Sequence, residues 1–138
     1  MGTRSLPVVL ALALSLGGCG AFDSGTSWHS ANYRVVWIDQ PSESVLGYEM
    51  GGSSSIRIAE PCVFAVGENE AFISFTRLPH AGDPLVYALG KAKYDPSRDP
   101  AAAIEGPFDE AEFERIAQSR GFPHMRQLFD PARCRSGA

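Results

Sequence analysis

The chain has few of the patterns from which a small protein's chemistry is usually read. Its 138 residues contain three histidines, His29, His80 and His124, no two of them at a His-x-His spacing, and no Cys-x-x-Cys occurs. Zinc sites usually draw on such pairs, because one short loop then delivers two donors to a tetrahedral ion. No metal ligand is assigned on that ground. No Gly-x-Ser-x-Gly elbow exposes a serine nucleophile. The run Gly51-Gly52-Ser53-Ser54-Ser55 is rich in glycine, yet it lacks the lysine and the strand–loop–helix setting of a phosphate loop, and reads as a hairpin turn. There is no internal repeat, no low-complexity tract and no basic stripe. With 12 Lys and Arg against 16 Asp and Glu the formal net charge is −4, which argues against nucleic acid as a partner. No apolar run reaches the roughly 20 residues needed to cross a bilayer as a helix.

What the sequence does have begins at its N-terminus. Arg4 is the one charged side chain before Asp23, and an apolar run from Leu6 to Leu16 follows it, interrupted only by Pro7 and Ser15. A charged start and a short apolar stretch are the marks of a secretory signal peptide. The run ends in Leu16-Gly17-Gly18-Cys19. These four residues resemble the lipobox of bacterial lipoproteins, in which small residues let a peptidase grip the backbone ahead of a cysteine. The resemblance implies a signal peptide over residues 1–18, a diacylglyceryl group on the Cys19 thiol, and a further acyl chain, commonly palmitate, on the freed amine. Several acyl chains hold where one is marginal, at about 0.8 kcal/mol per buried methylene. It also implies an envelope location, anchored to the membrane through Cys19. Residue 20 is glycine rather than aspartate, which in a Gram-negative host implies the outer membrane, facing the periplasm.

Loss of residues 1–18 removes Arg4, leaving 11 basic and 16 acidic side chains and a formal charge of −5. The remaining 120 residues suit one domain with an ordinary core. Lipidation of Cys19 leaves Cys62 and Cys134 as an even pair, and outside the cytoplasm a disulfide is the expected use of such a pair. It would tie the C-terminal tail back to the body near Pro61. The alternative is a reactive thiol at Cys134, whose arginine neighbours Arg133 and Arg135 would lower its pKa.

Residues 19–32 are small and polar, and read as a flexible tether. Trp28 within it has two readings, at the bilayer interface or packed on the domain. The domain is expected over residues 33–138. Short β-branched and aromatic runs recur at 33–38, 45–50, 55–58, 62–66, 71–77 and 85–94, separated by turn residues. Such spacing predicts an antiparallel meander. The run at 62–66 is apolar throughout and predicts a central strand, and Gly90 marks a possible bulge. From Phe108 the pattern changes to helix. Asp109 is the N-cap, Glu112 stands three residues on, Phe108 and Phe113 form a hydrophobic staple, and Gly121 follows Arg120 as the C-terminal stop. Phe113, Ile116 and Ala117 share the face that would lie on the sheet. A further helical turn is read between Phe122 and Phe129. The fold class is α+β: an antiparallel sheet of about five strands with one C-terminal helix packed on it.

The stretch from Leu85 to Phe122, a tyrosine-bearing strand, then Gly106-Pro107-Phe108 and an acidic capped helix with Glu112-Phe113, resembles a joint found in small bacterial proteins of unknown function, many of them lipoproteins. It covers about a third of the exported part and implies architecture only. The remaining candidates read as structure. Glu68 and Glu70 flank Asn69 in what reads as a solvated turn, where both carboxylates would titrate normally. Glu110, Glu112 and Glu114 complement a helix dipole. Trp37, Tyr48, Phe64, Phe72, Phe75 and Tyr87 read as core from their strand positions. The function expected is that of a non-enzymatic envelope lipoprotein without a cofactor. Its domain would bind a protein or a cell-wall component. An immunity or inhibitor lipoprotein directed at a toxin or hydrolase, and a small hydrolase or thiol enzyme, are the alternatives.

Overall fold

Residues 24–52 and 54–135 are described by the computed structural model of the chain. The α+β class holds, with nine strands and one α-helix among the described residues. The strands form two antiparallel sheets, where a single sheet was expected. The first sheet is a four-stranded meander of β1 (Ser24–Ser30), β2 (Tyr33–Ile38), β3 (Val45–Gly51) and β4 (Ser54–Ala59), in that order. The second contains β5 (Val63–Glu68), β6 (Phe72–Arg77), β7 (Leu85–Gly90), β8 (Ile104–Phe108) and β9 (Arg126–Gln127), ordered β8-β7-β6-β5-β9. The helix α1 spans Glu110–Arg120.

The division falls at Glu60-Pro61-Cys62. Cys62 has φ +52°, and there the backbone leaves the first sheet and enters the second. Periodicity reports that strands exist, but it does not report where a chain changes sheets. Proline and a left-handed residue next to it are the local devices that make the change here.

Three more expectations shift. Of the proposed tether, residues 24–30 are strand β1, paired with β2 from Ser24↔Ile38 to Ser30↔Tyr33 with a bulge between Thr26 and Trp28. The sequence there is polar because β1 is an edge strand, which needs only one apolar contact. Trp28 supplies that contact by packing against the core. Residues 1–23, including the leader and Cys19, lie outside the described residues. The strand expected over 85–94 ends at Gly90, where the chain turns back and Tyr94 N–H donates to the Gly90 carbonyl at 3.1 Å. The helical turn expected between Phe122 and Phe129 is instead extended, with β9 pairing to β5 through Ala65↔Gln127 and Val66↔Arg126.

The layers follow from side-chain parity. On β6, Ile73 and Phe75 face the first sheet, while Phe72 faces the helix and Thr76 donates to Met125 Sδ there. On β7, Leu89 and Tyr87 face the first sheet, and Val86 and Ala88 face the helix. A bulge at Phe64 sets two residues of β5 against one of β6, which puts both Val63 and Val66 in the inter-sheet core. Tyr33, Val35 and Leu46 supply that core from the other side. The result is sheet on sheet on helix. The helix termini match their sequence signals: Asp109 accepts from Glu112 N–H at 2.7 Å, Phe108 and Phe113 lie 6.4 Å apart, and Gly121 takes φ +74°. Phe113, Ala117 and Phe122 then pack on Val86 and Ala88.

Candidate functional site

One long side of the sandwich is open. Among the described residues β4 is the edge of the first sheet, so one side of its backbone has no neighbouring strand there. Opposite it, β8 is the edge of the second sheet and carries Pro107, which has no N–H to offer a further strand. Between the two edges runs a groove along β4. Its lower part is a cavity of about 320 Å³ lined by Arg57, Ile58, Ala59, Glu60, Phe75, Arg77, Tyr87 and Ile104. An adjoining cavity of about 460 Å³ shares Arg57, Ile58, Tyr87 and Ile104, and extends to Asp99, Pro100, Ala101 and Gly106.

Each side chain reaches the groove for a stated reason. Phe75 and Tyr87 are direct cross-strand partners on β6 and β7, and their rings stack at 5.2 Å with 15° between planes. Arg77 is two residues beyond Phe75 on the same face, and its guanidinium carbon lies 5.7 Å from the Tyr87 ring centroid. A guanidinium held on a ring face is partly desolvated and oriented. Arg77 takes part in none of the five ion pairs among the described residues. Arg57 by contrast is bound to Glu60 at 3.0 Å, three residues on, with 72 % of its side chain exposed. The floor is apolar (Ile58, Phe75, Ile104), and one cation without a carboxylate stands at its lower end.

A second constellation occupies the end of the sandwich where β1 meets β2 and β5 finishes. Tyr33, Tyr48 and Tyr94 pack with centroids 5.1, 5.8 and 5.2 Å apart. Burial, and then the neighbouring Tyr48, Tyr94 and Glu68, push the Tyr33 hydroxyl up to about 12. Burial likewise raises Tyr94, whose buried hydroxyl has no hydrogen-bond partner among the described residues. Glu68 accepts from Ser30 Oγ and from Lys91 Nζ, the latter at 2.9 Å. Desolvation pulls its carboxyl upward, but these two bonds and the Lys91 charge outweigh it and hold the pKa below the ordinary value. The solvated turn expected at Glu68 is therefore corrected: the residue ends β5 and ties β1 to the β7 turn.

The other candidates are dispersed. His29 is exposed on β1, His80 is exposed in the loop after β6, and His124 is exposed after α1. Among the described residues no group of three or more His, Cys, Asp and Glu is placed to hold a metal ion. Cys134 and Cys62 are joined as a disulfide, with Cα atoms 5.7 Å apart, so neither is a free thiol. No described helix is long and apolar enough to cross a membrane. Phe64 and Phe75 are core residues as expected, whereas Trp37, Tyr48, Phe72 and Tyr87 are only half-buried. Tyr87 and Arg77 are the site residues that sequence reasoning misses. A tyrosine mid-strand and an arginine at a strand end carry no local signal, and their meeting depends on β6–β7 register. Comparison with protein families, with curated proteins and with solved structures finds no match to this chain.

Proposed function

We propose that the protein is a cell-envelope lipoprotein, anchored through a lipid on Cys19, whose domain is a binding module and not an enzyme. The ligand is an extended segment of an envelope protein, bearing a carboxylate and apolar side chains, laid in the groove beside β4. The observation that carries this reading is Arg77: an oriented guanidinium on Tyr87, without an acidic partner, beside an apolar floor. A carboxylate is the group such a cation binds best, and an unpaired strand edge offers backbone hydrogen bonds to an extended chain. The anchor reading draws on Leu16-Gly17-Gly18-Cys19 and on the disulfide, which uses the other two cysteines and suits an oxidising compartment.

The test is crosslinking capture from the native envelope with the full-length protein, its Arg77→Glu variant and its Cys19→Ser variant. One partner, enriched by the parent and lost with Arg77→Glu at unchanged melting temperature, is the expected result. Equal capture by both would remove the groove from the proposal. Cys19→Ser should leave the membrane fraction, and undiminished membrane association would sink the anchor.

A further inference from the structure

Ile38, at the end of β2, is 61 % exposed, and Trp37 next to it is only half-buried. Water is an unfavourable neighbour for both. Their place in the register is specific: Ile38 pairs with Ser24 and Trp37 with Gly25, the first residues of β1. The Trp37 ring lies directly on Gly25, since a Cβ there would stand 2.9 Å from ring atoms Cε2 and Cζ2. Glycine at 25 thus lets the indole cover the strand where the chain arrives from its N-terminal side.

Four residues separate Cys19 from Ser24, and the five Cα-to-Cα steps between them reach at most about 18 Å when extended. A lipid on Cys19 therefore holds Ser24, and with it Trp37 and Ile38, close to the bilayer surface. We infer that this end of the first sheet rests on the lipid surface, with Ile38 in the headgroup–acyl boundary and Trp37 at headgroup level. The inference rests on the anchor reading above and adds a surface to it. The chemistry suits both side chains: tryptophan concentrates at the membrane interface, and apolar faces bind there by burial. Charge adds no attraction to anionic lipid, because the exported chain carries −5, and beside the patch Arg34 and Arg57 are paired with Glu49 and Glu60 while Asp39 and Glu43 add negative charge. Contact should then form on zwitterionic lipid and need no anionic lipid. In this orientation the tyrosine end, with Met50 51 % exposed, points away from the membrane, and the groove beside β4 leads outward from it.

The experiment uses the lipidated full-length protein in phosphatidylcholine vesicles, with and without brominated phosphatidylcholine as a fluorescence quencher. The chain has two tryptophans, so Trp28→Phe leaves Trp37 as the one reporter and Trp37→Phe leaves Trp28. Brominated lipid should quench Trp37 emission and leave Trp28 emission unchanged, and Ile38→Asp should reduce the Trp37 quenching. Intact mass reads lipidation of Cys19 in the same samples. Unquenched Trp37 in protein whose mass shows the lipid overturns the surface contact while the anchor stands. Absence of the lipid overturns both. Unquenched Trp37 in a dimer that Ile38→Asp dissociates gives the patch to a second copy of the chain, and also overturns the lipid contact.

Discussion

The two ends of the sandwich are closed by different chemistry. At the end where β2 finishes and β5 starts, closure is covalent and made mainly to backbone. Cys62 is bonded to Cys134, buried Ser44 donates its hydroxyl to the Val63 carbonyl at 2.8 Å and accepts from Val63 N–H at 3.3 Å, and Leu78 N–H donates to Cys62 at 3.0 Å. A 3₁₀ turn over Pro41–Glu43 and another over Pro131–Cys134 lie there. At the opposite end closure is by side chains: three tyrosine rings, and Glu68 held between Ser30 and Lys91. The first end has to gather a C-terminal tail with little apolar surface of its own, and a crosslink does that by restricting the unfolded chain. The second has large rings to bury, and their packing suffices, at the cost of one buried hydroxyl without a partner. Under the orientation proposed above, the covalent end faces the lipid and the tyrosine end faces outward.

The largest expected effect tests the covalent end. The disulfide spans 72 residues, and on the chain-entropy account its loss costs about 4 kcal/mol. The double variant Cys62→Ser, Cys134→Ser should lose about that much in urea denaturation, with residues 131–135 and the start of β5 exchanging amide hydrogens first. A loss below about 1 kcal/mol would mean that packing of Phe64, Leu78 and Phe129 closes this end without the crosslink.

Alkaline pH addresses the tyrosine end instead. The folded pKa of Tyr33 is raised to about 12 from an ordinary 10.0. Its contribution is therefore fully present below pH 10 and is lost as pH rises through about 12, because the unfolded chain gives up the proton first. A tenfold change in proton affinity is worth about 1.4 kcal/mol. Water reaching the tyrosine end screens part of that, so the loss should be on the order of 1–2 kcal/mol near the upper end of the window. Melts between pH 9 and 11.5 should show the decline, and Tyr33→Phe should flatten it. An unchanged slope in that variant would assign the decline to other groups.

Smallest is the orphan hydroxyl. Tyr94→Phe removes a buried oxygen that has no partner among the described residues, and should be neutral or stabilising by about 1 kcal/mol in thermal or urea unfolding. Clear destabilisation would reveal a bound water or partner at that oxygen, and the tyrosine end would then depend on a hydrogen bond as the other end does.

How much of this was legible in the sequence differs by element. Helix α1 was readable almost to the residue, because Asp109, Phe108, Phe113 and Gly121 each act within one turn of their own position. The apolar run of β5 was readable as a central strand for a similar reason, since both its faces are buried. β1, β8 and β9 were not readable. β1 is polar at an edge, β8 contains Gly106-Pro107, and β9 has only two residues, so each is a strand only because a neighbour pairs with it. The Cys62–Cys134 pairing was legible by arithmetic only on the expectation that Cys19 carries a lipid.

By itself the sequence determined what depends on near neighbours and on composition: the capped helix, the alternating strands and the excess of acidic over basic side chains. Only the tertiary structure decided that the meander divides into two sheets at Pro61 and Cys62, that Arg77 lies on Tyr87 across β6 and β7, and that three tyrosines from β2, β3 and the turn after β7 meet at one end. The reason is range. Caps and turns are set by forces acting over a few bonds, whereas a groove or a cluster is set by strand register, which exists only once distant parts of the chain have paired.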